Sequence, residues 1–350
     1  MSGIREITEA YDKLPLSDRI MFYLCISNDL SVSDENKQSF LIEHRHIDNE
    51  CIYCGNSHIV KNGHRADGTQ RFLCKDCHKS FIPSSNTIVS GTRKRIETWA
   101  KYISCMMDKK TLNETASECN ISKNTAFTWR HKVLGALKEL ADKTFLTGIL
   151  EADETFFNVS YKGNHTKSKS FVMPRKAHKR GNDIHANGLS ADKVCVPCVV
   201  NEAGVSYGLP IKTGKISSYG IDKAFENIIA EGAVLCTDNE KAYIEFSKKK
   251  HIKLIQTQTD CRVTKTDSGY YGIQRINAYH KKLKGFIRRF NGVSTKYLEN
   301  YLIWNNIVKC NSKTKERDEI IMQVIGHVLS CNKTIYGREL SKRPSLPTVA

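Results

Sequence analysis

No stretch of this chain approaches the ~20 consecutive apolar residues that a membrane-spanning helix needs. A helical membrane protein is thereby excluded. The opening MSGIREITEAYDKL carries acids where a secretory signal would be basic and then apolar, so a cytoplasmic protein is expected. Acidic residues are also short: 37 Asp+Glu stand against 54 Lys+Arg, a formal charge of +17, and that excess suits a polyanionic partner, nucleic acid first. The 13 cysteines are an odd number, and an intracellular chain of 350 residues has no call for a disulfide framework. Metal binding or plain burial remain to account for them, and spacing decides which.

Cys51 and Cys54 form one C-x2-C pair, and Cys74 and Cys77 a second, with 19 residues between. That spacing suits a four-cysteine structural Zn2+ site, each pair on a tight turn and a hairpin between them turning at Asp67-Gly68. His58, His64 and His78 lie nearby, but four thiolates already close such a site. Cys195 and Cys198 repeat the C-x2-C spacing inside a strand-like run, where residues three apart point to opposite faces, so no metal site is expected there. The remaining cysteines are single, mostly with apolar neighbours, and read as buried small hydrophobes.

The segment TLNETASECNISKNTAFTWRHKVLGALKELAD has helix-turn-helix proportions. Asn113 is expected to cap a short helix through Glu118, and Asn120-Ile121-Ser122 to make the turn. A second helix from Lys123 to Leu137 would expose Lys123, Asn124, Thr128, Arg130 and Lys132 to a DNA major groove. From Thr147 the pattern changes to strands and helices in the order of an α/β layer.

Two acids mark strand ends in that layer: Asp153 in LEADETFF and Asp238 in VLCTDNEKAY. In INAYHKKLKGFIRR, Asn277, His280, Lys281 and Lys284 recur at i, i+3, i+4 and i+7, which stacks them along one helix face, while Ile276, Leu283, Phe286 and Phe290 would bury the other. Two carboxylates met by a polar and basic stripe suit Mg2+ or Mn2+ and phosphodiester cleavage. Lys281 and Lys284 would meet DNA phosphate. Glu151 shares the Asp153 face as a weaker candidate, and Glu154 points to the opposite face in a structural role. The basic run between Tyr161 and Lys193 reads as a DNA-tracking loop.

From about Cys51 to Trp304 the motifs CKDCHKSF, EADET, CTDNEKAY and INAYHKKLKGFIRRF resemble the DDE-type insertion-sequence transposases that join a zinc ribbon and helix-turn-helix to an RNase H-like catalytic domain. The resemblance implies an α/β fold divided into a zinc ribbon (46–90), helix-turn-helix region (91–145) and RNase H-like catalytic domain (146–310); before it REITEAYDKLPLSDRIMFYLCISNDL reads as short helices in an N-terminal segment (1–45), and a C-terminal tail (311–350) follows. It implies Asp153 and Asp238 as the paired aspartates. The family's usual glutamate lies seven residues before a lysine; counting back from Lys284 puts Asn277 there, as in a subgroup with Asp-Asp-Asn-Lys. Mg2+ would then be held by Asp153, Asp238 and Asn277, with His280 the rival third ligand. Implied partners are the element's terminal inverted repeats and target DNA, for a homodimer or higher oligomer associated with the nucleoid. Two other readings stay open: a non-catalytic DNA-binding regulator and an RNase H-like nuclease.

Overall fold

The computed structural model describes residues 50–66, 68–94, 96–163, 192–257, 263–266, 269–311, 324–328 and 335–347, with isolated positions at 7, 10, 11, 172–174 and 331. The expected helices of 1–45, Asp67 and most of the basic 161–193 loop lie outside the described residues. The chain divides into two compact units, residues 1–137 with 315–340, and 138–314 with 341–350. No helix among the described residues is long and apolar enough to cross a membrane.

The first unit opens with a small antiparallel sheet of β1 (Ile59–His64), β2 (Gln70–Cys74) and β3 (Ser80–Phe81). Gly68, at φ +81°, sits in the β1–β2 turn, a conformation that costs glycine little. Three helices follow: α1 (Ile96–Met107), α2 (Leu112–Glu118) and α3 (Lys123–Asp142). They are held by a buried aromatic centre in which Trp99 of α1 stacks on Trp129 of α3 at 3.6 Å between ring centroids. The cap of α2 is Thr111, not Asn113. Thr111 Oγ1 accepts from Glu114 N while Glu114 Oε2 accepts from Thr111 N, a reciprocal box that Asn113 lies too far into the helix to make. Asn120 takes a left-handed conformation, φ +49°, in the turn before α3, a role asparagine fills more readily than most residues.

The second unit is built on a mixed sheet, β6-β5-β4-β8-β9, with β7 paired to β5. Its strands are β4 (Ile149–Asn158), β5 (Lys193–Asn201), β6 (Ser206–Gly208), β7 (Lys212–Thr213), β8 (Val234–Thr237) and β9 (Lys253–Gln256). The first three run antiparallel in a meander, and β8 and β9 lie parallel to β4. This mixed layout is consistent with an RNase H-like fold. Two-residue periodicity sorts the faces. Leu150 and Ala152 of β4 join Leu235 and the apolar sides of α4 (Ser218–Phe225) and α5 (Ala242–Lys249) in one core. The alternate residues Glu151 and Asp153 turn to the face covered by α6 (Gln274–Arg288). A short hairpin, β10 (Val263–Thr266) and β11 (Gly269–Gly272), precedes α6, and α7 (Leu298–Asn311) follows it.

Candidate functional site

A parallel pair keeps residues at the same level on the same face, about 4.8 Å apart. Glu151 of β4 lies opposite Cys236 of β8. Continuing that register by two residues sets Asp153 level with Asp238, just beyond the last residue of β8. Burial first, and then the Asp238 charge, push the Asp153 carboxyl up to about 6, against the backbone amide of Glu154 and the Lys284 cation, which pull it down. Asp238 is fixed in turn by the amide of Glu240, which donates to its Oδ1 at 3.1 Å.

Helix α6 brings the other side chains. Its buried stripe is Ile276, Tyr279, His280, Leu283, Phe286 and Ile287, while Asn277, Lys281 and Lys284 are exposed. The expected single stripe of four polar residues therefore splits. His280 lies four residues after Ile276 and three before Leu283, which carries it onto the apolar side. There its Nδ1 sits 3.5 Å from Asp153 Oδ2, and its buried Nε2 has no hydrogen-bond partner. Burial, and to a smaller extent the Lys284 charge, lower its pKa to about 4, so the imidazole is neutral at pH 7. Of the two candidates for a third ligand, His280 is the one set against Asp153. Lys284 acts electrostatically on both Asp153 and His280.

Glu151 does something that alternation alone did not reveal. It is 4% exposed, and its Oε2 accepts from Ile276 N at 3.0 Å while Oε1 faces Arg275 Nη1 at 3.2 Å. A carboxylate on the first-turn amides also meets the positive end of the helix dipole. Glu151 thus ties the start of α6 to the strand that carries Asp153. The only hint in sequence was a buried-face acid two residues before the catalytic candidate. Glu154, on the opposite face, accepts from Tyr243 Oη at 2.6 Å, and burial raises its pKa to about 7.

A desolvated carboxyl and a second one level with it are groups that a divalent cation would bind. After burial, the Asp238 charge is what raises the Asp153 pKa, and a bound dication would relieve that repulsion.

In the first unit, the ligand atoms of Cys51, Cys54, Cys74 and Cys77 all lie within 4.8 Å of one another. Cys51 Sγ to Cys77 Sγ and Cys54 Sγ to Cys74 Sγ are each 3.6 Å. A tetrahedron with Zn–S arms of about 2.3 Å has edges of about 3.8 Å, so the cluster can hold zinc. By contrast Cys195 and Cys198 are buried in β5, where burial pushes both thiols up.

The expected DNA face of α3 needs correction. Lys123 and Asn124 are exposed and Thr128 is half-buried, but Arg130 is 1% exposed and its Nη2 donates to Lys110 O at 2.9 Å. It lies on the helix side that packs inward. Lys132 is half-buried with Nζ donating to Ile88 O at 3.0 Å and Ser90 O at 3.4 Å, and burial lowers its pKa. Neither side chain projects freely from an outward face.

No model of a known protein family matches the chain. No curated protein matches it either. Among solved structures it is similar to a pre-cleavage Mos1 transpososome at 11% identity, covering 92% of this chain and 100% of that one with a TM-score of 0.21. It is also similar to a Mos1 transposase paired-end complex with left transposon end, at 11% identity over 84% and 96% of the two chains and a TM-score of 0.22. A third is the Mos1 strand transfer complex, at 11% identity, 84% and 94% coverage and a TM-score of 0.22.

Proposed function

We propose that the protein is a DNA transposase that binds the ends of its own insertion sequence, cleaves phosphodiester bonds with Mg2+ or Mn2+, and joins the freed 3′-hydroxyls to target DNA. One observation carries this reading: by the β4–β8 register Asp153 lies level with Asp238, just past the end of β8, and α6 brings His280 and the Lys284 charge to Asp153. Asp153 and Asp238 would hold the metal, with His280 favoured over Asn277 as the third ligand by its position, although its nitrogen is a softer donor than Mg2+ prefers. When bound, the metal supplies charge stabilisation at phosphate and a lowered pKa for bound water.

The chain's own residues have separate tasks. Lys284 offers a cation to a phosphate brought up to the aspartates. His280, neutral at pH 7, keeps the Asp153 carboxylate oriented without neutralising it. Glu151 holds α6 in place. Transesterification by a DNA hydroxyl needs no protein nucleophile. The four-cysteine sheet acts as a zinc ribbon and α2–α3 as a helix-turn-helix, with Lys123, Asn124, Thr128 and Lys132 in the DNA-binding region and Lys281 beside the catalytic groups. An active homodimer or higher oligomer, associated with the nucleoid, would bring two element ends together.

The test is incubation of the full chain with labelled DNA from the ends of its element, target plasmid and Mg2+. Cleaved and joined products should appear, and Asp153→Asn and Asp238→Asn should each remove both. Cleavage without joining would instead indicate an RNase H-like nuclease, and binding without cleavage a regulator.

A further inference from the structure

Between the segment 90–94 and the start of α3 lies an open groove of about 600 Å³. Its walls carry Arg93, Lys94 and Lys132 together with hydroxyl and amide side chains, and no acidic residue is among those lining it. Both walls are pinned by lysines. Lys132 donates from α3 across to Ile88 O and Ser90 O, and Lys94 donates from the connector to Asn120 O at 3.2 Å. These bonds set the width of the groove.

An ammonium has three N–H donors. The two carbonyl bonds of Lys132 and the single one of Lys94 leave further donors on each for a ligand. Arg93 is exposed beside them, and its fork suits two oxygens of one phosphate. Ser122 and Thr125 add hydroxyls at the floor: Ser122 Oγ accepts from Thr125 N at 3.1 Å, and the two hydroxyls bond at 2.9 Å. A site with three cations, hydroxyl donors and no acid selects an anion with several oxygens. In a protein of net charge +17, the abundant polymer of that kind is nucleic acid.

We propose that this groove grips one backbone phosphodiester of duplex DNA, so that the 90–94 connector is part of the DNA-binding surface and Arg93 and Lys94 are its contact residues. The proposal rests on the reading of the chain as a DNA-binding transposase and locates where its first unit holds the backbone. Lys132 then has two duties, bracing the connector and lending charge, which explains why it is turned inward.

The test measures binding of the full chain to a fluorescein-labelled duplex of arbitrary sequence by anisotropy across a salt series, with no divalent cation added. Catalytic competence does not enter the readout. Arg93→Ala with Lys94→Ala should lower the slope of log K against log salt by about 0.9, the value for one phosphate contact. Lys223→Ala with Lys248→Ala, an equal loss of exposed charge in the second unit, should leave the slope as in wild type. An unchanged slope in the groove variant, or an equal fall in the control, would overturn the proposal, as would failure of the wild-type chain to bind duplex at all. Titration with inorganic phosphate at constant ionic strength separates the sources: phosphate should compete with duplex in wild type and not in the Arg93→Ala, Lys94→Ala variant, whereas tight phosphate binding that leaves duplex affinity untouched would make the groove a small-anion site and refute the proposal.

Discussion

Glu151→Ala should loosen the start of α6 and, through it, the candidate site. The carboxylate is buried and accepts from the Ile276 amide at 3.0 Å, and a hydrogen bond to a charged group contributes about 1.5–3 kcal/mol. Its place at the helix start adds about 0.3–1 kcal/mol through the dipole. Arg275 is 45% exposed, so solvent holds its share of the ion pair to under about 1 kcal/mol. Against these gains stands desolvation, the largest influence on Glu151, which raises its pKa despite Ile276 and Arg275. A net loss of about 2–3 kcal/mol follows for Ala, which leaves the amide unpaired in a buried place. At about 2–4 °C per kcal/mol for a unit of this size, the melting midpoint should fall by about 4–12 °C.

Glu151→Gln keeps an oxygen for the Ile276 amide and removes the desolvated charge, so it should cost under about 1 kcal/mol. The sign of its pH dependence is fixed. A raised folded-state pKa means that ionisation costs folding energy, a cost absent below the ordinary glutamate range and complete above the raised value. Gln should therefore gain on wild type as pH climbs through that window. Circular dichroism melts at several pH values read the stability, and cleavage of a labelled element end reads the site, where a displacement of about 1 Å can cost ~100-fold in rate. An Ala variant that melts with wild type and cleaves as fast would refute the anchoring role.

Other outcomes follow from the same geometry. Purified protein should hold one zinc per chain by elemental analysis, and Cys51→Ser should release it and unfold the small sheet while leaving the second unit's melt in place; a zinc-free protein would contradict the cluster's role. Mn2+ binding, followed by paramagnetic broadening, should tighten as pH rises through about 6, where Asp153 loses its proton, and a flat profile would count against Asp153 as a ligand. His280→Ala should lower cleavage more than Asn277→Ala, because His280 abuts Asp153 while Asn277 is exposed; the reverse order would return the third position to Asn277.

Much of this arrangement was legible in the sequence because its signals are local. The C-x2-C pairs announce the cysteine cluster, and the apolar run VLCT ahead of Asp238 marks a strand that ends at an acid. The 3.6-residue pattern around Ile276 and Leu283 gives α6 its buried side. Harder to read were positions at the margin of a stripe. His280 and Arg130 both look polar-outward in a residue count, yet each lies next to an apolar ridge, and tertiary packing drew them in. Arg130 found the Lys110 carbonyl to satisfy it and His280 found Asp153. The pairing of Glu151 with the α6 amides joins residues 125 apart in sequence, a separation that no local pattern encodes.

The central claim is that Asp153 and Asp238 form one metal-dependent site for cutting and joining DNA. Its most direct test is a gel assay with the full chain, labelled element ends and target plasmid, run with Mg2+, with EDTA, and with Asp153→Asn and Asp238→Asn. Cleaved ends and joined products with Mg2+ alone, lost in both variants while duplex binding persists, are what the account predicts. Products that survive either substitution, or that form without a divalent cation, would contradict it.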